Sequence, residues 1–307
     1  MAELVRELAC VRARRAAGRT AGSLLREAAV RLRDAGIRTA RLDAEVLLAH
    51  VLGWRRETLY THPDRVVDDR AVAEFEAAIQ KRLARVPVAY IRSKKEFMSL
   101  EFTVTPAVLI PRPETEVLVE SVISRLEGKD SPLIMDLGTG SGAIAVALAK
   151  FLSAARIVAT DISPAALSVA RLNAGRYGLQ DRIHFEVGDL FEPLHAGEHL
   201  GRSYLGSFDA IVSNPPYISR GEMKELAPEL SYEPRIALDG GQDGLDFFRK
   251  ILAGARSFLK SSGFIALEIS NLRAQEVKVI ADGLGYSTSI LPDYSGRDRV
   301  LIAGGVL

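Results

Sequence analysis

The apolar run Ala210-Ile211-Val212 passes through Ser213 into Asn214, Pro215, Pro216 and Tyr217. A proline fixes φ and has no N–H, so neither proline continues a sheet ladder. The residue before a proline is pushed to extended backbone, which holds Asn214 open. Two readings stand for the bare tetrapeptide: a rigid exit turn, or a device that grips a planar nitrogen. The second has definite chemistry. A carboxamide nitrogen is a poor nucleophile because its lone pair is delocalised into the carbonyl. Two acceptors that hold both of its hydrogens aim that lone pair at an electrophile. The Asn214 side-chain oxygen and the Pro215 carbonyl are two such acceptors, and Tyr217 is a flat wall for the planar group. The electrophile then needs only in-line approach, so positioning and oriented dipoles suffice, with no metal.

A second stretch, Asp136-Leu137-Gly138-Thr139-Gly140-Ser141-Gly142, has the glycines of a strand-to-helix turn that a ligand approaches closely. The spacing is G-x-G-x-G rather than the G-x-G-x-x-G of a pyrophosphate site. No basic residue is nearby, and Asp136 precedes the glycines, which suits a cationic or hydroxyl-bearing ligand. The stretch alone fits a tight turn, a dinucleotide site or an S-adenosylmethionine site. Asp161 follows about twenty residues on, where a carboxylate reaches ribose hydroxyls; the alternative is an N-cap, which Ser163 also offers. Asp189, with Leu190, is placed to flank an adenine ring or to make an ordinary turn.

These residues need a scaffold that brings strand ends together. From residue 132 strands and helices alternate: LIMDLG, RIVATDI, RIHFEVGD, FDAIVSN and GFIALEI are strands, and YSTSILPDYSGRDRVLIAGG is a final strand pair turning near Gly296. Alternation of this kind predicts an α/β fold with a mostly parallel, doubly wound sheet. Pro113 is expected to open a helix with Glu114 and Glu116 in its first turn. Residues 87–112 contain a β-hairpin. Before them, Leu24, Ala28 and Leu32, then Leu42, Val46 and Ala49, then Val72, Phe75, Ile79 and Leu83 recur at helical spacing, predicting a small bundle over 1–86. That bundle presents substrate or is a packing appendage. The transferring domain is then 113–307.

The totals narrow the class. In 307 residues 48% are hydrophobic and 26% charged, as in globular proteins, and the formal net charge is +1. Such balance argues against a dominant electrostatic grip on nucleic acid. The single cysteine, Cys10, excludes an intrachain disulfide scaffold and a multi-cysteine zinc site. No apolar run has membrane length. Five arginines in the first twenty residues faintly resemble a transit peptide, but Glu3 and Glu7 oppose that reading. A cytoplasmic protein is the expectation.

Asn214-Pro215-Pro216-Tyr217 together with Asp136 to Gly142 resembles the S-adenosylmethionine-dependent methyltransferases of planar amino and amide nitrogens. LIPRPETE (109–116), EFMSLEF (96–102) and ALDGGQDGL (237–245) narrow this. They resemble the PrmC/HemK family, which methylates the glutamine of the Gly-Gly-Gln motif in peptide-chain release factors, and the resemblance runs from about residue 20 to the end. It implies a Rossmann-like class I methyltransferase with a seven-stranded sheet, joined by the hairpin to the helical bundle. It implies cofactor contacts from Gly138, Thr139, Gly140, Ser141, Gly142, Asp161, Asp189, Leu190 and Asn214. Asn214, Pro215, Pro216 and Tyr217 would hold the glutamine. Phe97 and the segment Arg112, Pro113, Glu114, Thr115 would cover the cofactor and the reacting amide. The chain departs from the family pattern at Leu190, where an aromatic is frequent, and at Met98-Ser99, where an aromatic and a glycine are frequent. A monomer acting on a protein partner, without direct contact to nucleic acid, is expected. The rivals are a nucleic-acid amino methyltransferase and a non-enzymatic adenosine-binding factor; the second leaves Asn214 without a task.

Overall fold

The computed structural model describes residues 19–195 and 203–306. Cys10 and the arginine-rich start lie outside the described residues. The chain divides into two compact units at Ser93/Lys94.

The first unit is helical: α1 (Ala21–Asp34), α2 (Ala40–Leu52), α3 (Arg56–Thr61), α4 (Asp69–Leu83) and α5 (Val88–Arg92). Thr20 and Ser23 form a reciprocal capping box on α1, and Asp68 caps α4 through Ala71 N–H. Leu24, Ala28, Leu32, Leu47, Leu48, Phe75 and Ile79 make its core. The expected face of α2 is corrected in part. Ala49 is buried, but Val46 is half-buried and Leu42 exposed, and the buried positions also include Asp43, Ala44, Leu47 and Leu48. Asp43 is inside because Arg82 Nε of α4 donates to it at 2.8 Å. A helix whose inner face carries a carboxylate is misread by apolar periodicity alone.

The second unit begins with a hairpin, β1 (Lys94–Phe97) and β2 (Leu100–Thr103), closed by Met98 and Ser99. Both turn residues have positive φ, 51° and 58°, as a two-residue primed turn requires. The chain then reaches α6 (Thr115–Leu126). Pro113 and Glu114 form the turn before it, so the helix starts two residues later than expected.

The sheet comprises β3 (Leu133–Leu137), β4 (Arg156–Asp161), β5 (Ile183–Val187), β6 (Phe208–Ser213), β7 (Leu259–Glu268), β8 (Tyr286–Pro292) and β9 (Asp298–Val306). Their order is β5-β4-β3-β6-β7-β9-β8, parallel except for the pairs of β9. The helices are α7 (Ala143–Phe151), α8 (Pro164–Arg176), α9 (Glu192–His195), α10 (Asp246–Ala255) and α11 (Ala274–Gly283). Alternate strand residues serve two cores. Ile134, Ile157, Ala210 and Val212 pack with α6 and α7, whereas Met135, Val158, Ile211 and Ile265 pack with α10 and α11. Cover on both faces makes the strands read as continuous apolar runs. Strand order reverses at β3, which has β4 on one side and β6 on the other. In open α/β sheets the crevice for a ligand lies at the carboxyl ends beside such a switch point.

Candidate functional site

The carboxyl ends of β3 to β6 line one cavity. Gly138 and Gly140 come from the turn after β3, Asp161 from β4, Gly188, Asp189 and Leu190 from the turn after β5, and Ser213, Asn214, Pro215 and Pro216 from β6. Register explains the convergence. Leu137 pairs with Thr160 and with Ser213, so the strands run out at one level.

The glycine turn is built from below. Gly138, Gly140 and Gly142 have φ of 69°, 55° and 78°, which side chains rarely adopt. At Gly142 a Cβ would also stand 3.0 Å from the Ala170 Cβ. Asp161 Oδ2 accepts from Gly140 N–H at 2.8 Å and its Oδ1 from Ser163 N–H at 2.9 Å. Ser163 itself caps α8 through Ala166 N–H, so the cap belongs to Ser163. Burial raises the Asp161 pKa above the ordinary carboxylate value.

Several expected contacts lie elsewhere. Thr139, Ser141 and Gly142 do not line the cavity. Thr139 is buried and donates to Asp136 Oδ2 at 2.6 Å, and the Ser141 carbonyl accepts from Asn173 at 2.8 Å. Asp136 is fully buried beneath the turn, and burial pushes its carboxyl up to about 7. It supports the loop rather than facing a ligand. Phe97 is a core residue, edge-on to Phe102 at 6.0 Å. The hairpin is tied instead to α6, where Met98 N–H donates to Glu116 at 2.7 Å. Glu114 is exposed and does not line the cavity.

What covers the first cavity is apolar: Ala107, Val108 and Leu109 from one segment, Pro234, Ile236 and Ala237 from another, with Ile162 and Phe247. Ile162 and Ile236 are 50% and 53% exposed, large apolar side chains open at the rim. Among the described lining residues the charged groups are Asp161 and Asp189, with no lysine or arginine. This lining fits a nucleoside that carries positive charge and no phosphate, as S-adenosylmethionine does.

A second cavity adjoins the first. It is lined by Leu109, Arg112, Asn214, Pro215, Tyr217, Ile218, Leu230, Ala237 and Leu238. Asn214 and Pro215 line both, so the tetrapeptide stands where the two meet. Arg112 donates to the buried Glu233 at 2.5 Å, and Glu233 also accepts from Ile110 N–H at 3.0 Å. These bonds strap the two covering segments together.

The tetrapeptide is braced on both sides. Asn214 Nδ2 donates to Thr115 Oγ1 at 3.2 Å, and Thr115 donates to Glu268 Oε2 at 2.5 Å. Tyr217 Oη reaches Glu268 Oε1 at 3.5 Å. Burial and the Glu268 charge raise the Tyr217 pKa, so its hydroxyl keeps its proton. Burial pushes Glu268 up to about 7. Behind the prolines, Gly240 N–H donates to the Ile218 carbonyl at 2.8 Å. A Cβ on Gly240 would lie 2.8 Å from the Pro216 carbonyl oxygen, and one on Gly244 would lie 2.5 Å from that of Tyr217. That is the physical need behind the glycines of ALDGGQDGL.

Residues 23–92 match the PrmC N-terminal domain family, and residues 129–285 match a methyltransferase domain family. The release factor glutamine methyltransferase of Moorella thermoacetica is 45% identical over 281 residues, 91% of this chain and 96% of the relative. The chain belongs to the release factor glutamine methyltransferase family. The family member of Clostridium acetobutylicum is 39% identical over 85% of this chain and 90% of its own. Among solved structures, the hMettl16 catalytic domain superposes with a TM-score of 0.54 at 14% identity, covering 79% of this chain and 85% of that one, a likeness of fold alone. Membership makes the chain a methyltransferase, and the seven-stranded, mostly parallel sheet is the Rossmann-like one expected. No helix among the described residues is long and apolar enough to cross a membrane.

Proposed function

We propose that this protein transfers a methyl group from S-adenosylmethionine to the side-chain amide nitrogen of the glutamine in the Gly-Gly-Gln motif of peptide-chain release factors. The observation that carries the reading is the meeting of two cavities at Asn214 and Pro215. When bound, S-adenosylmethionine supplies a methyl group on a positively charged sulfur. Gly138, Gly140, Asp161, Asp189, Leu190 and Asn214 are the proposed residues that hold it. Thr139, Ser141 and Gly142 shape the turn, Thr115 acts through its bond to Asn214, and Phe97 serves the core.

The acceptor amide enters the second cavity. Asn214 Oδ1 and the Pro215 carbonyl accept its two N–H groups, which directs the nitrogen lone pair towards the first cavity. Tyr217 and Pro216 wall the planar group. Arg112, held by Glu233, lines the same cavity. The product nitrogen keeps one hydrogen and gives up the other as a proton.

The names carried by the relatives support release factor as the partner, and the helical unit is proposed as its recognition part. The near-neutral charge favours a protein partner over nucleic acid. A monomer in the cytoplasm is the proposed working state. Release factor incubated with this protein and S-adenosylmethionine should yield a Gly-Gly-Gln peptide heavier by one methyl, located on the glutamine by fragmentation. An unchanged peptide mass, with label entering RNA in a parallel reaction, overturns the reading.

A further inference from the structure

Glu268 ends β7 and is 1% exposed, yet the first cavity and the second are both lined without it. Its neighbours are hydroxyls. Oε2 faces Thr115 at 2.5 Å and Oε1 faces Tyr217 at 3.5 Å. Register explains the placement: Ser213, the last residue of β6, pairs with Leu267, so Asn214 and Glu268, the next residue of each segment, stand at the same level. The charged groups acting on it are Arg299 from β9 and Glu114 from the turn before α6.

A carboxylate offers acceptors only, and a threonine hydroxyl has a single hydrogen. Thr115 commits that hydrogen to Glu268. Its oxygen therefore meets Asn214 as an acceptor, and Asn214 must turn Nδ2 towards it, as observed at 3.2 Å. The oxygen end of the amide is then left for a ligand. Without the carboxylate the Thr115 hydrogen is free to point at Asn214, and the amide turns end for end. It would then present N–H groups to the N–H groups of an acceptor amide.

We propose that Glu268 is a positioning residue for methyl transfer: through the Thr115 hydroxyl it fixes which end of the Asn214 amide faces the acceptor cavity. The proposal rests on the reading of Asn214 as an acceptor given above. Glu268 touches neither cofactor nor substrate, and its effect passes through two side chains.

The test uses the full chain, S-adenosylmethionine and intact release factor in single turnover. Glu268→Leu removes the buried acceptor, and Thr115→Val keeps the threonine shape without its hydroxyl. Each should lower the methyl-transfer rate about 10- to 100-fold, by analogy with losing a group that orients a metal ligand. S-adenosylmethionine affinity should stay within about threefold. Thr115→Ser returns the hydroxyl and should recover most of the rate. In an Asn214→Ala background, Glu268→Leu should cost less than about threefold more, because both changes cut one pathway. An impaired Asn214→Ala beside unimpaired Glu268→Leu and Thr115→Val overturns this proposal alone. So does a full additional loss in the Asn214→Ala background, which marks a merely structural role. An unimpaired Asn214→Ala overturns the reading beneath it as well.

Discussion

Thr115 and Glu268 lie 153 positions apart in the chain, and their side chains meet at 2.5 Å beneath Asn214. One begins a helix and the other ends a strand. Their contact turns a strand end into an oriented amide, and the consequences are measurable.

Asn214→Ala removes one of two proposed acceptors and should lower single-turnover methyl transfer about 10²- to 10³-fold, as loss of a preorganised oxyanion-hole donor does. S-adenosylmethionine affinity should change far less. Asn214→Asp keeps size and an acceptor but loses the N–H groups that bond to Thr115, so it should be impaired as well. A rate within about threefold of wild type for Asn214→Ala assigns the two prolines to folding alone.

Asp161→Ala should weaken S-adenosylmethionine binding by about 1.5–3 kcal/mol, the worth of hydrogen bonds to a charged group. Calorimetry reads this directly. An unchanged affinity reduces Asp161 to a tether for Gly140 and Ser163.

Two buried carboxyls make stability depend on pH. Burial lifts Asp136 from an ordinary 3.8, and Glu268 from 4.5, to about 7. The folded protein then binds protons that the unfolded chain releases. That stabilisation is full below about pH 4 and is lost as pH rises through about 7. Thermal midpoints should fall from pH 5.5 to about pH 8, and less steeply in Glu268→Leu. Catalysis should run the opposite way. If the ionised carboxylate orients Asn214, kcat/KM rises through about pH 7 in the wild type. Glu268→Leu should flatten that limb, and an unaltered profile assigns it to another group.

A protein shortened to residues 94–307 retains every residue lining the two cavities. It should keep S-adenosylmethionine affinity and lose activity on intact release factor, whose recognition needs more surface than the cavities offer. Full activity on the intact substrate would deny the helical unit a recognition role.

Ser99 occupies a left-handed turn position with φ of 58°. Ser99→Gly removes the Cβ penalty and should stabilise the hairpin unit by about 1 kcal/mol. A urea midpoint that does not rise would mean the turn carries no strain.

The sheet was legible because its strands are continuous apolar runs bounded by glycine and proline, and the glycine turn and Asn214 because their backbone demands are written in residue types. Support was harder to read. Thr139 and Ser141 sit beside true lining residues, yet face inward to Asp136 and Asn173, and a one-dimensional motif carries no inside or outside. Phe97 is misplaced for the reverse reason, since an aromatic at a hairpin serves a core as well as a lid. Glu268 closes the apolar run FIALE, and a charge at a buried strand end was its one signal. Nothing local marks Val108, Ile236 or Glu233, which reach the site from segments far apart in the chain.

The cation-free lining of the first cavity sets a limit on competitors. Adenine nucleotides share the nucleoside that Asp161 and the apolar rim would accept, and they carry anionic phosphates. Among the described lining residues those phosphates would find Asp161, Asp189 and no arginine or lysine. Lys250 is drawn to Asp189 at 3.5 Å without joining the lining. On the proposed reading ATP would gain the adenosine contacts and incur charge repulsion, and the cavity should discriminate by sign of charge between two molecules with the same nucleoside end.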